Sequence, residues 1–243
     1  MEFPVLDGSV TQEGATVSGV VQTDLQVTSG PARLVDPDLG AGDTVIYVNV
    51  VPTLEGLASL TGGNFVPGAM FELSGTGFTS DMSVIVPLSG GGSTTVPVIS
   101  TSINPSNTKA EFVVPDNAIL GDFQVITGGG TSNVLPTAVP ELISLTSTSS
   151  AGVPVDDTLA FSNVGKTLDI SGNNLSDATL VRFPVITNGA RDGFTLVTVD
   201  TAVNGDLASL SVPQTMDSGT VTLKDPDLGD GTGSAYLQIV PEL

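Results

Sequence analysis

The chain has 243 residues, 40% of them hydrophobic, enough to fill two sandwich-sized cores of roughly 100 residues each. Its 6 basic and 26 acidic residues give a formal charge of -20, a field that repels phosphate backbones and anionic lipid and so excludes nucleic-acid binding, while favouring solubility and cations such as calcium. Histidine and cysteine are absent, which removes disulfides, imidazole and thiolate metal ligands, a cysteine nucleophile and the Ser-His-Asp triad. Tryptophan is absent too and there are only two tyrosines, so stacking platforms for sugars or bases are undersupplied.

The N-terminus, MEFPVLDG, carries no basic n-region, and no apolar run approaches the ~20 residues of a membrane helix. Either export information lies outside this segment or the protein assembles without export; Met1 is a native start or a junction. Val, Leu, Ile, Thr and Ser dominate, with 29 Gly and 16 Pro as punctuation, a strand-and-turn composition.

Three short segments share a pattern: VVPTLEG (50–56), AVPELIS (138–144) and IVPEL (239–243). Their markers Pro52, Pro140 and Pro241 are spaced by about 88 and 101 residues, a sandwich length, and divide the chain into a partial or short module (1–51) and two full ones (52–140 and 141–243). In the first full copy, GAMFELSGTGFTSDMSVIV (68–86) alternates apolar residues at period two, and in the second GKTLDISGNNLSDATLVRF (165–183) does the same, which predicts strands with one buried face. A Ser-Gly step at 74–75 and 171–172 predicts a bend that returns Phe78 or Leu175 to the core.

Further along, AEFVVPDNAILGDFQVIT (110–127) and ASLSVPQTMDSGTVTLKD (208–225) each read as strand, Val-Pro stop, Gly-containing loop and strand. The inward residues expected are Phe71, Leu73, Phe78, Val84, Phe112, Val114, Phe123 and Val125, then Leu168, Ile170, Leu175, Val181, Leu210, Val212, Val221 and Leu223. No stretch holds a 3.6-residue apolar period, so at most one short helical turn is expected, near Asp116–Leu120 or Gln214–Asp217. Residues 183–240 also resemble 3–51, with FPVITNG echoing FPVLDGS and an identical DPDLG at 225–229 and 36–40, so residues 1–51 read as the second half of a repeat.

The ordered set P-x-L/I, ELSGTGF (72–78) or LDISGNNL (168–175), then V-P…G…V resembles the IPT/TIG family of immunoglobulin-like domains over roughly 52–140 and 141–243. Leu175 departs from the Phe of that pattern, as do Pro87 and Pro184 from its usual loop. The resemblance implies an all-β fold of tandem immunoglobulin-like (IPT/TIG-like) β-sandwiches with a binding or spacer role, and it brings no catalytic residues.

The acidic turn DPDLGDG (225–231) and its relative DPDLGAGD (36–43) are the candidate calcium loops, because calcium takes six to eight oxygens from carboxylates and carbonyls on a sharp turn. The ligands would be Asp225, Asp227 and Asp230, and Asp36, Asp38 and Asp43. The spacing is one residue longer than an EF-hand's and lacks its terminal Glu, so the competing reading is an Asp-Pro turn whose carboxylates bond the local backbone. Asp156-Asp157 is a second acidic pair, and GGGSTT (90–95) and GGGTS (128–132) read as hairpin tips because strands flank them and no Lys follows.

These features point to a non-enzymatic structural or adhesive repeat at an extracellular or cell surface, or in a filament, with protein or glycan surface partners. Self-assembly through 1–51 would close the open edge of a half sandwich. A virion decoration or tail protein, or an accessory module of a polysaccharide-active enzyme, are the alternatives.

Overall fold

Alternating side chains with Gly and Pro at the bends leave this chain little choice but short strands and turns. The structure, a computed structural model, describes residues 11–13, 16–18, 29–36, 40–147, 151–187 and 190–241. By packing the chain forms two compact units: Met1–Leu57 with Val66–Thr137, and Ala58–Phe65 with Ala138–Leu243.

In the first unit, β1 (Thr11–Glu13) and β2 (Thr16–Ser18) form a hairpin, as do β3 (Gly30–Asp36) and β4 (Gly40–Val48). The strands that follow are β5 (Thr53–Ser59, whose last two residues belong to the second unit), β6 (Met70–Thr76), β7 (Ser83–Pro87), β8 (Ser93–Pro97), β9 (Lys109–Val113), β10 (Asp122–Thr127), β11 (Gly130–Thr131) and β12 (Leu135–Pro136). One sheet runs β5-β6-β9; the other runs β11-β10-β7-β8, with β12 also on β10. Lettered A to G, this is A-B-E packed on G-F-C-C′, the immunoglobulin-like sandwich.

The second unit holds β13 (Glu141–Ser147), β14 (Ala160–Ser162), β15 (Thr167–Asn173), β16 (Leu180–Thr187), β17 (Ala190–Thr198), β18 (Thr201–Val203), β19 (Leu207–Ser211), β20 (Gly219–Asp225), β21 (Gly229–Asp230) and β22 (Ala235–Ile239). Its sheets run β13-β15-β19-β18 and β14-β22-β20-β16-β17, with β14 parallel to β22. That is A-B-E-D on A′-G-F-C-C′, a second immunoglobulin-like sandwich with more strands.

All sixteen inward residues expected from the alternation are buried. Full burial of each contributes about 1.5–3 kcal/mol relative to exposure. The Phe112 and Phe123 rings pack at 6.5 Å and 53°, a tilted pair. In the second unit Phe183, Val199, Met216 and Leu237 complete the core.

The bend at Ser-Gly is the same in both units, for a steric reason. A Cβ on Gly75 would overlap the Thr53 carbonyl oxygen and meet the Phe78 ring at 2.9 Å, and one on Gly172 would overlap the Glu141 carbonyl oxygen and meet Leu175 at 3.3 Å. Two residues on, the chain turns left-handed, with Gly77 at φ 71° and Asn174 at φ 55°; Asn is one of the few side-chain-bearing residues that tolerates this region.

Pro87 and Pro184, which depart from the family pattern, also share one environment. The Pro87 carbonyl accepts from Ile119 N at 3.0 Å, and that of Pro184 from Asp217 N at 3.1 Å. Gly121 and Gly219 pass so close to the two rings that a Cβ would lie 3.2 and 2.7 Å from their Cγ atoms. Asp116–Leu120 and Gln214–Asp217, the alternative places for the one helical turn expected, are turns tied back by the bridges Leu88↔Ala118 and Val185↔Met216. Among the described residues the helical element is instead a 3-10 turn at Ser100–Ser102. It covers the outer edge of β9, because Ile99 N donates to the Glu111 carbonyl at 2.8 Å and Glu111 N to Ser102 Oγ at 2.7 Å.

The DPDLG hairpins match strand for strand. Asp36 pairs with Gly40, Ala32 with Ile46 and Pro31 with Tyr47, while Asp225 pairs with Gly229, Val221 with Ala235 and Thr220 with Tyr236. Residues 3–9, the other half of the sequence echo, lie outside the described residues.

Candidate functional site

The acidic turn at the end of β20 is built from local hydrogen bonds. Asp225 Oδ1 accepts from Asp227 N and Leu228 N, both at 2.8 Å, the Asx-type turn that an Asp-Pro step favours. Segment 58–65 of the same unit lies against this turn. Ser59 N donates to the Asp227 carbonyl at 2.7 Å, and Lys224 Nζ to the Gly62 carbonyl at 2.9 Å. The Asn64 carboxamide reads Asp230 twice, accepting from its N–H at 2.8 Å and donating to Oδ2 at 3.3 Å. Gly229, at φ 109°, lets Asn64 come so close that a Cβ would stand 2.6 Å from its Cα.

The three candidate calcium ligands of this turn are therefore engaged differently. Asp225 holds two backbone amides, Asp227 contributes its carbonyl to Ser59, and Asp230 bonds Asn64, with Arg182 Nη2 at 3.9 Å from its Oδ1. Among the described residues no group of three or more acidic side chains is placed to hold a metal. Of the matching set, Asp36 and Asp43 are described as backbone on β3 and β4, and their side chains, with the whole of Asp38, lie outside the described residues.

The second acidic pair is also wired into the fold. Asp156 Oδ1 accepts from Thr158 N at 2.9 Å and Thr158 Oγ1 at 2.6 Å. The Thr158 hydroxyl, then its amide, hold this carboxyl below its ordinary value of 3.8 against a small desolvation in the other direction. The Gln238 carboxamide brackets the same residue, accepting from Asp156 N at 3.0 Å and donating to its carbonyl at 2.5 Å. In the first unit Asn133 does likewise for β5, accepting from Leu54 N and donating to the Leu54 carbonyl, both at 2.9 Å. The Gly-rich tips place Gly91 and Gly92 at φ 86° and 76°, as hairpin ends between β7 and β8.

One surface escaped the sequence reading. On the outer side of β16 and β17, Phe194 and Leu196 are 56% and 40% exposed, with Ile186 at 49%. The register sets Leu196 opposite Arg182 and Phe194 opposite Pro184, and the Arg182 guanidinium lies 4.1 Å from the Phe194 ring centroid, a cation–π contact. The available signal was the apolar residues on both phases of the strand, Phe194 and Leu196 outward and Val197 inward, which period-two reading assigns to neither a buried nor an exposed face.

No family model matches the chain, and no curated protein does. Similar solved structures include a surface glycan-binding protein from Prevotella bryantii, 13% identical with TM-score 0.27 over 78% of this chain and 42% of that one. A tetra-tandem repeat in the extending region of a large adhesion protein is 13% identical with TM-score 0.26 over 76% and 48%. The FN1–FN3 domains of chicken CNTN1 are 13% identical with TM-score 0.22 over 78% and 65%. The chain thus spans under half the length of the first two. At this level of likeness the fold assignment rests on the strand order described above. No helix among the described residues is long and apolar enough to cross a membrane.

Proposed function

We propose that this chain is a non-catalytic structural or adhesive segment of tandem immunoglobulin-like domains, of IPT/TIG type, in a protein exposed at a cell surface or in an extracellular filament. The observation that carries this reading is where the polar side chains of the loops go. Asn133, Asp156 and Asn64 in the loops, with Asp225 and Gln238 on β20 and β22, bond neighbouring backbone, so the loops that would carry a reactive group are used to hold strands and turns in place. The absence of histidine and cysteine from the sequence agrees, since no imidazole or thiolate is on hand for general-base or nucleophilic work. The paired motifs around Gly75 and Gly172 support the family type.

Single-molecule pulling on the purified chain tests the role. A structural segment is expected to give separate, cooperative unfolding steps, each releasing roughly 30 nm for a sandwich of about 100 residues. A chain that extends without resolvable steps, or that turns over a polysaccharide or peptide substrate, would end this reading.

A further inference from the structure

Strand β17 lies at the end of its sheet. Its partner is β16, and among the described residues no strand pairs with its other side. An unpaired edge presents a row of N–H and C=O groups, and proteins usually blunt it with short strands, proline, charge or bulges. The equivalent strand of the first unit, β8, is five residues of Ser-Thr-Thr-Val-Pro, polar and ended by Pro97, which has no N–H to offer. In β17 the register shift comes early, where pairing passes from Val185↔Gly193 to Ile186↔Arg191, and leaves Gly193–Thr198 regular. Along that stretch the outward side chains Phe194 and Leu196 are apolar and exposed.

We propose that the Gly193–Thr198 edge pairs with the same edge of a second copy of this chain, antiparallel, about a two-fold axis at Thr195. In an antiparallel pair, directly opposed residues share a face. This register therefore sets Phe194 of each copy opposite Leu196 of the other and gathers four apolar side chains on the outer surface. A register one residue longer would oppose Phe194 with Val197, which faces inward, so the pattern selects its own alignment.

Charge favours the same place. Two copies at -20 each repel over most of their surface, but β16, β17 and β20 hold Arg182, Arg191 and Lys224, three of the six cations, against only Asp192 and Asp225 of the 26 acids. The two Arg182 residues would stand three strand spacings apart, about 14 Å, beyond the screening length of about 8 Å at physiological salt. A six-residue edge covers less than the ~1,200 Å² of a stable interface, so the pairing is weak and concentration-dependent.

Sedimentation velocity on the full chain, from about 10 to 500 micromolar, tests this range of weak association. The sedimentation coefficient is expected to rise towards that of a dimer, more so at higher salt, because screening relieves the repulsion of two acidic chains. Phe194→Lys with Leu196→Lys is expected to weaken association at least about tenfold, and Ile143→Lys, at an exposed apolar site on β13, to leave it unchanged. Amide exchange in the wild-type chain reads the same contact even if the double variant misfolds, since residues 193–198 should slow as concentration rises. A coefficient independent of concentration, association that survives the double substitution, loss of association in the Ile143 variant, weakening by salt, or unchanged exchange at 193–198 would each overturn the proposal.

Discussion

The two sandwiches solve one packing problem with opposite placements. In the first, four phenylalanines, Phe71, Phe78, Phe112 and Phe123, fill the centre; the corresponding positions in the second are Leu168, Leu175, Leu210 and Val221. The lost volume returns on the neighbouring strand. β7 and β10 pair Ile85 with Gln124, which one step along sets Val86 against Phe123. β16 and β20 pair Val181 with Leu223, which in the same direction sets Phe183 against Val221. All four side chains are fully buried, so a small–large pair has become a large–small pair. Period-two alternation fixes which positions face inward, while the identity of the filler is free as long as the local volume is kept.

The sharpest way to break the comparison is to alter one member of the pair. Phe123→Val should cost about 2–4 kcal/mol and Val86→Phe about 1–3 kcal/mol by overpacking. The double variant, which copies the second sandwich into the first, should recover much of the loss as a coupling of about 0.5–3 kcal/mol, measured by urea unfolding. Simple additivity would show that the two sites do not share a space.

Gly75→Ala and Gly172→Ala test what the two sandwiches have in common. Each new methyl meets a backbone carbonyl and a core side chain, so both should cost about 1–3 kcal/mol, with matching losses read by calorimetry. A cost in one and not the other would mean that the bends are not equivalent.

Asn133→Ala tests a difference. It strands the N–H and carbonyl of Leu54, and should cost about 1–3 kcal/mol with faster amide exchange at Leu54. The second sandwich uses backbone at the corresponding place, Leu142 N donating to the Thr232 carbonyl at 2.8 Å, and has no such side chain to lose.

Smaller effects are expected at the acidic turns. With Asp225 holding two amides, millimolar calcium should move the melting temperature by less than about 1 °C; a rise of several degrees would mark the turn as a cation loop, since a ligand of the folded state must stabilise it. Asp156 should titrate below 3.8 when its carboxyl is followed by NMR. Its folded value is the depressed one, so its small stabilisation is present above the unfolded value and disappears as pH falls through the folded one.

The core and the bends were legible in the sequence because both are local. Leu168, Ile170, Leu210 and Val212 announce themselves by alternation, and Ser-Gly by what a turn needs. The engagement of Asp225 and Asp230 was legible only by half. The Asx turn follows from residues three apart, but nothing near Asp230 in sequence foretells Asn64, more than 160 positions earlier. The exposed side of β17 was hidden for a related reason: whether a strand has a neighbour on each side is a property of sheet order, which side-chain period does not encode. The one helical turn expected is not at either place, where loops that start at Pro115 and Pro213 bridge through Ala118 to Leu88 and through Met216 to Val185.

The matched hairpins at Asp36–Gly40 and Asp225–Gly229 place one turn sequence in both units. The first unit carries both the Asp36–Gly40 hairpin and one that turns through Gly-Gly-Gly, with no acid or proline, between β10 and β11. Two kinds of loop therefore stand in the first unit, and the acid-and-proline kind recurs in the second with the same pairing register.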